Sequence, residues 1–131
     1  MNDEFDTVEN ESIEEELEAA ADYTAEEGPS AEELNEQIPY IVSLSREYEL
    51  DGKKIREVDL SGLADLTTVD AQAIDRVMEK MKHHPQNKFR DIMYTKHIAM
   101  RVSGLPVEFF NSLHWKDMEA ITARITLYFL F

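Results

Sequence analysis

From Tyr40 onward the apolar residues change their spacing, and each change marks an element. Val42, Leu44, Tyr48 and Leu50 share one parity, the period of a half-buried strand. Asp51-Gly52 follows as a two-residue hairpin turn, and Ile55 to about Leu60 reads as the return strand. This turn sets Glu49 opposite Lys54, Glu47 opposite Arg56 and Tyr48 opposite Ile55. Two opposite-charge pairs then share one face, with an apolar pair on the other. The apolar parity slips between Ile55 and Val58, which predicts a bulge there or the end of the strand. A lone hairpin is marginal in water, so it must pack on something.

That something is helical. Thr67-Thr68-Val69-Asp70 reads as a capped start, and Ile74, Val77, Met78 and Met81 recur at helical spacing until His83-His84-Pro85 ends the run. A second helix is expected from about Asn87 to Ser103. Its apolar residues (Phe89, Ile92, Met93, Ile98, Ala99, Met100, Val102) cover much of the circumference, as in a central helix. Gly104 suits a left-handed residue after a helix, and Pro106 opens a short helix ending near Leu113. A last helix starts near Trp115 and runs onward. Asp70 and Asp117 each fall in a first turn, where a carboxylate caps the helix and meets its dipole. The expected fold is therefore mainly α with a small N-terminal β-hairpin, an α+β domain.

Charge divides the chain sharply. Residues 1–39 hold fifteen carboxylates and no Lys or Arg; residues 40–131 hold thirteen carboxylates and thirteen Lys/Arg, so the net −15 sits on the first segment. With few large apolar residues, residues 1–39 read as an acidic disordered arm before a folded domain at 40–131. Within the arm, Ile13, Leu17 and Ala20 or Ala21 fall on one side of a helical stretch. Ser30-Ala31-Glu32-Glu33 has the capping-box pattern of a further short turn. The arm reads either as a solvating tail or as a partner-binding, shielding element. The domain's bases are interleaved with acids, which argues against nucleic-acid binding. Without cysteine there is no disulfide, thiol nucleophile or thiolate metal site. No secretory leader or apolar run of membrane-spanning length is present, so a cytoplasmic protein with no membrane partner is expected.

Candidate chemistry is sparse. The four glycines are isolated and form no phosphate-cradling loop. His83 and His84 are adjacent, where a metal pair on a helix needs a spacing of four. His97 does not share a face with Asp91, and His114 reads as a turn residue. Paired carboxylates occur only in the arm, and no serine has a nucleophile-elbow context. The reading is a non-enzyme with no cofactor and no metal. Leu127-Tyr128-Phe129-Leu130-Phe131 is the unusual feature: five large apolar residues that either close the core or offer a surface to another chain.

Read in order, several short motifs resemble the tail assembly chaperones of long-tailed bacteriophages. They are Leu50-Asp51-Gly52-Lys53, the apolar strand end Val58-Asp59-Leu60-Ser61-Gly62-Leu63, and the helix start Leu66-Thr67-Thr68-Val69-Asp70. Ser103-Gly104-Leu105-Pro106 follows with Val107-Glu108 and Leu113, then Lys116-Asp117 and the closing Phe129-Leu130. The resemblance spans about 90 residues and leaves out the acidic arm. It implies an assembly factor of the host cytoplasm that is absent from the finished virion. Such a protein binds and solubilises the tape measure protein and helps tail tube protein polymerise around it. In that family a longer form often arises by ribosomal frameshift; this chain looks like the short form, and Phe129-Leu130-Phe131 can be encoded by a U-rich run. Apolar positions at helix ends and in the last helix nominate Phe109, Phe110, Trp115, Ile125, Tyr128, Phe129 and Phe131 as client or self contacts, with homo-oligomerisation through the last helix as one use. Met78, Met81, Met93 and Met100 offer either an adaptable surface or core filling. The rival readings are an acidic nucleic-acid mimic that blocks a basic partner, and a structural tail completion protein.

Overall fold

The computed structural model describes residues 30–130, and the chain divides between Gln37 and Ile38. The expected disorder and helical stretch of the first 29 residues lie outside the described residues. In the first unit the described element is α1 (Ala31–Gln37). Its start is the expected reciprocal cap: Glu33 N–H donates to Ser30 Oγ at 3.1 Å, and Ser30 N–H donates to the Glu33 carboxylate at 3.3 Å.

The second unit opens with the hairpin, β1 (Ile41–Leu50) and β2 (Lys53–Asp59). Asp51 and Gly52 both have positive φ, 50° and 80°, as a turn matched to the strand twist requires. Leu50↔Lys53, Glu49↔Lys54 and Tyr48↔Ile55 pair as the sequence predicts. The expected Glu47–Arg56 pair does not form, and the irregularity lies on β1, not on the return strand. Pairing resumes at Ser43↔Glu57 and Val42↔Val58, so Leu44 to Glu47 bulge opposite Arg56 alone. Glu47 meets Lys54 instead, at 3.5 Å. The bulge has a physical cause, because Ser45 turns out of the ladder and donates to a buried carboxylate on the last helix.

A 3-10 turn (Ser61–Asp65) leads from the hairpin to α2 (Thr68–Lys80). Asp70 accepts from the Thr67 N–H at 2.8 Å, closing the start of α2 as predicted. Only half of its expected apolar stripe is covered: Ile74 and Met78 are buried, whereas Val77 and Met81 are exposed. The next helix begins later than the spacing suggested. Residues Lys88–Arg90 form a 3-10 turn, and α3 is Ile92–Ser103. Asp91 sets that boundary, since its carboxylate accepts from the Tyr94 N–H at 2.8 Å and sits 2.7 Å from His83 Nε2. Gly104 closes α3 in the left-handed region, φ 75°, and α4 (Val107–Ser112) and α5 (Trp115–Leu130) follow. The described residues are thus mainly helical with one two-stranded antiparallel hairpin.

The core is built where α3 meets α5, with α4, β2 and the 3-10 turns closing its sides. Val58, Leu60, Leu63, Ile98, Ala99, Ile121 and Ile125 are buried there together with Phe109 and Phe110. Polar stitches cross it. Thr95 and Thr122 meet hydroxyl to hydroxyl at 2.9 Å, linking α3 to α5. Buried Arg124 donates to the carbonyls of Pro39 and Ile38 and lies over the Tyr40 ring at 4.2 Å, fastening the first residues of this unit to α5. Among the described residues no buried side-chain nitrogen or oxygen lacks a hydrogen-bond partner.

Candidate functional site

The nominated contact residues do not form one patch. Phe109 and Phe110 are each 2% exposed and pack ring edge to ring face, and Ile125 is fully buried. These three belong to the core, because α4 and α5 turn them inward. Trp115 is the opposite case, 75% exposed at the start of α5, with its indole N–H on Glu119 at 2.9 Å. Tyr128 and Phe129 sit at the other end of that helix, roughly 20 Å away at 1.5 Å per residue. Both are half-buried: Tyr128 meets Tyr40 edge-on, and Phe129 stacks on Phe89 with centroids 4.2 Å apart. Phe131 lies outside the described residues. Within the expected apolar pentad, Leu127 to Phe129 are half-buried and Leu130 is exposed, so both uses of that segment occur. Among the described methionines, Met78 and Met118 are buried, Met93 and Met100 half-buried, and Met81 exposed.

Phe129 and Phe89 border the feature with the most binding character. Between α2, the Lys88–Arg90 turn, α3 and the end of α5 lies a cavity of about 300 Å³ whose apolar wall is Leu66, Ala71, Ile74, Phe89, Ile98 and Phe129. A second cavity of about 240 Å³ shares Lys88 and Tyr94 as wall residues and is otherwise lined by Asp75, Glu79, His83 and His84. On the far side of α2 a third, of about 250 Å³, runs along Val77, His97, Met100 and Leu105. Helix α2 thus lies between two grooves. It is held by Ile74 and Met78 and by a few polar ties: Asp70 to Arg101 at 2.6 Å, and Asp75 to Lys88 at 3.3 Å and to Tyr94 OH at 2.9 Å. None of the groove's wall residues except Phe129 was nominated from sequence. Phe89 and Phe129 are forty positions apart, and no local signal joins them.

The electrostatics are mainly structural. Asp117 is 3% exposed and accepts from the Ser45 N–H at 2.8 Å, the Ser45 hydroxyl at 2.9 Å and the Tyr48 hydroxyl. Burial pushes its carboxyl up, but the hydrogen bonds from Tyr48 and Ser45 outweigh that and hold it below the ordinary range. It lies in the first turn of α5 as expected, and from there it also pins the hairpin to that helix. Burial, then the bond to Asp75, pushes the Tyr94 hydroxyl up to about 12. Burial and neighbouring Lys96 push the His97 imidazole down. Among the described residues no group of three or more His, Asp or Glu is arranged to hold a metal ion. No described helix is long and apolar enough to cross a membrane.

One charge feature departs from the interleaving expected of the domain. Residues 80–90 carry Lys80, Lys82, Lys88 and Arg90 with no carboxylate, all four exposed; Lys88 lines the first two cavities, and Arg90 borders a separate one beside Thr122 and Thr126. That run was visible in the sequence as a local excess within a neutral total. The feature with the most binding character is therefore the first cavity and its apolar wall. No family model, curated protein or solved structure matches this chain.

Proposed function

We propose that this chain is a tail assembly chaperone of a long-tailed bacteriophage or prophage, binding the helix-rich tape measure protein and keeping it soluble while tail tube protein polymerises around it. In this reading it is a non-enzymatic factor of the host cytoplasm that does not stay in the virion. Two things support it: the ordered motifs from Leu50 to Leu130, and a domain of the kind they imply, helical behind a hairpin. The observation that carries it is the apolar furrow along α2, whose wall of Leu66, Ala71, Ile74, Phe89 and Phe129 can receive the apolar face of a client helix. The acidic segment, with fifteen carboxylates before residue 40, adds solubility to a chaperone–client complex by mutual repulsion.

The test is co-purification with a tape measure protein for three forms of the chain: the full chain, one lacking residues 1–37, and one with Tyr128, Phe129 and Phe131 changed to Ser. A domain-based chaperone keeps its client without the arm and loses it with the triple change while its helical circular dichroism persists. A nucleic-acid mimic would lose all activity with the arm. A tail completion protein would be found in purified particles.

A further inference from the structure

Helix α5 turns Met118, Ile121 and Ile125 into the core and leaves a second face uncovered. On that face Trp115, Glu119, Ala123 and Leu127 recur every four residues. They form one ridge along about 18 Å of helix at 1.5 Å per residue. Trp115 is 75% exposed, Glu119, Ala120 and Ala123 are exposed, and Leu130 past the end of the ridge is 41% exposed. Beside the ridge lies an open concavity of about 380 Å³ lined by Arg90, Glu119, Thr122, Ala123, Thr126 and Leu127. Arg90 meets no carboxylate within ion-pair distance among the described residues.

This order of residues is complementary to its own reverse. When two copies of α5 run antiparallel about a two-fold axis at the level of Ile121, Trp115 of each copy falls opposite Leu127 of the other. Glu119 of each then falls opposite Ala123 of the other. Ala123 borders the same concavity as Arg90, so each incoming Glu119 carboxylate enters beside a guanidinium with no carboxylate of its own. Ala120 and Ala123 flank the axis, and their small side chains let the helices approach. A parallel pair would instead set Glu119 against Glu119. A helix of unrelated sequence has no reason to carry this spacing in reverse, whereas a second copy carries it by identity.

We infer that this face of α5 binds a second copy of the chain in an isologous antiparallel pair, Trp115 of each on Leu127 of the other and Glu119 of each on Arg90 of the other. One helix face covers less than the roughly 800 Å² per partner of a standard interface, so the pair is weak and dissociates on dilution. The pairing does not depend on any client.

Sedimentation velocity of the full chain from about 1 µM to about 200 µM reads the association directly, in salt that screens two chains of net charge −15. The chain has one tryptophan, so its emission follows the same transition. The expected result is a monomer–dimer equilibrium, with Trp115 emission moving to shorter wavelength as concentration rises. Trp115→Ala, Glu119→Arg and Arg90→Glu each weaken the dimer by about tenfold or more. The combined Glu119→Arg and Arg90→Glu chain returns to within about threefold of the parent, as a coupled pair requires. All three positions are exposed, so each variant keeps the parent's helical circular dichroism. A chain that stays monomeric at every concentration overturns the inference, whatever else covers the face. So does a dimer that the single variants leave unchanged, and so does a combined charge reversal that stays as weak as either single one.

Discussion

A carboxylate in the first turn of a helix has two uses, and this domain shows both. Asp70 closes its own helix through Thr67, three residues away, and that pairing was legible because both partners sit in one local motif. Asp117 instead reaches Ser45 and Tyr48, some seventy residues earlier, and no local pattern announces it. Removing it leaves three donors facing a buried hole, so Asp117→Ala costs about 3 kcal/mol in urea unfolding, against about 1 kcal/mol for Asp70→Ala. The carboxyl's value is depressed in the folded state. Its contribution is therefore complete above the unfolded value of 3.8 and is lost as pH falls through the lower folded value. Asp117→Asn flattens that acid limb. Tyr94 has the opposite sign: its hydroxyl is raised to about 12, so its contribution is full below the ordinary value of 10.0 and is lost between there and about 12. Tyr94→Phe removes that alkaline loss, as thermal unfolding across this pH range will show.

At the scale of elements, local chemistry located the turns and caps, and tertiary contacts decided the rest. The Asp51-Gly52 turn fixed the first three pairs of the hairpin, and Gly52→Ala destabilises it by roughly 1 kcal/mol because φ is +80° there. The bulge was misplaced onto β2 because its cause, Ser45 bonding to Asp117, is long-range. The apolar spacing predicts a helix from Asn87, whereas Asp91, paired with Tyr94 N–H and His83, caps α3 so that it starts at Ile92, five residues later. Spacing alone also overstated α2, since two of its four stripe residues remain exposed. With two buried side chains and exposed ion pairs as its main ties, α2 exchanges its amides faster than α3 and α5 in hydrogen-exchange measurements, and faster still at high salt. Trp115 belongs to the surface: Trp115→Ala changes stability by less than about 0.5 kcal/mol, whereas Ile125→Ala costs about 3 kcal/mol.

The molecule as a whole joins an acidic segment of fifteen carboxylates to a domain with equal numbers of acids and bases from residue 40. Within that balance lies a local basic run at residues 80–90, of which Lys88 lines the cavities beside α2. The fold class was legible because periodicity and turn chemistry agree along most of the chain. The site was legible only at Phe129, since its walls come from four separate elements that local sequence does not bring together. Phe109, Phe110 and Ile125 were nominated for their apolarity, and apolarity is equally the mark of a core. In the proposed function this domain keeps a helix-rich tape measure protein in solution. The measurement that tests it most directly is the soluble yield of that protein, from the same genome, expressed with and without this chain. A chaperone gives an insoluble partner alone and a soluble, co-purifying complex when the two are made together. A partner whose solubility is unchanged and which does not co-purify would contradict it.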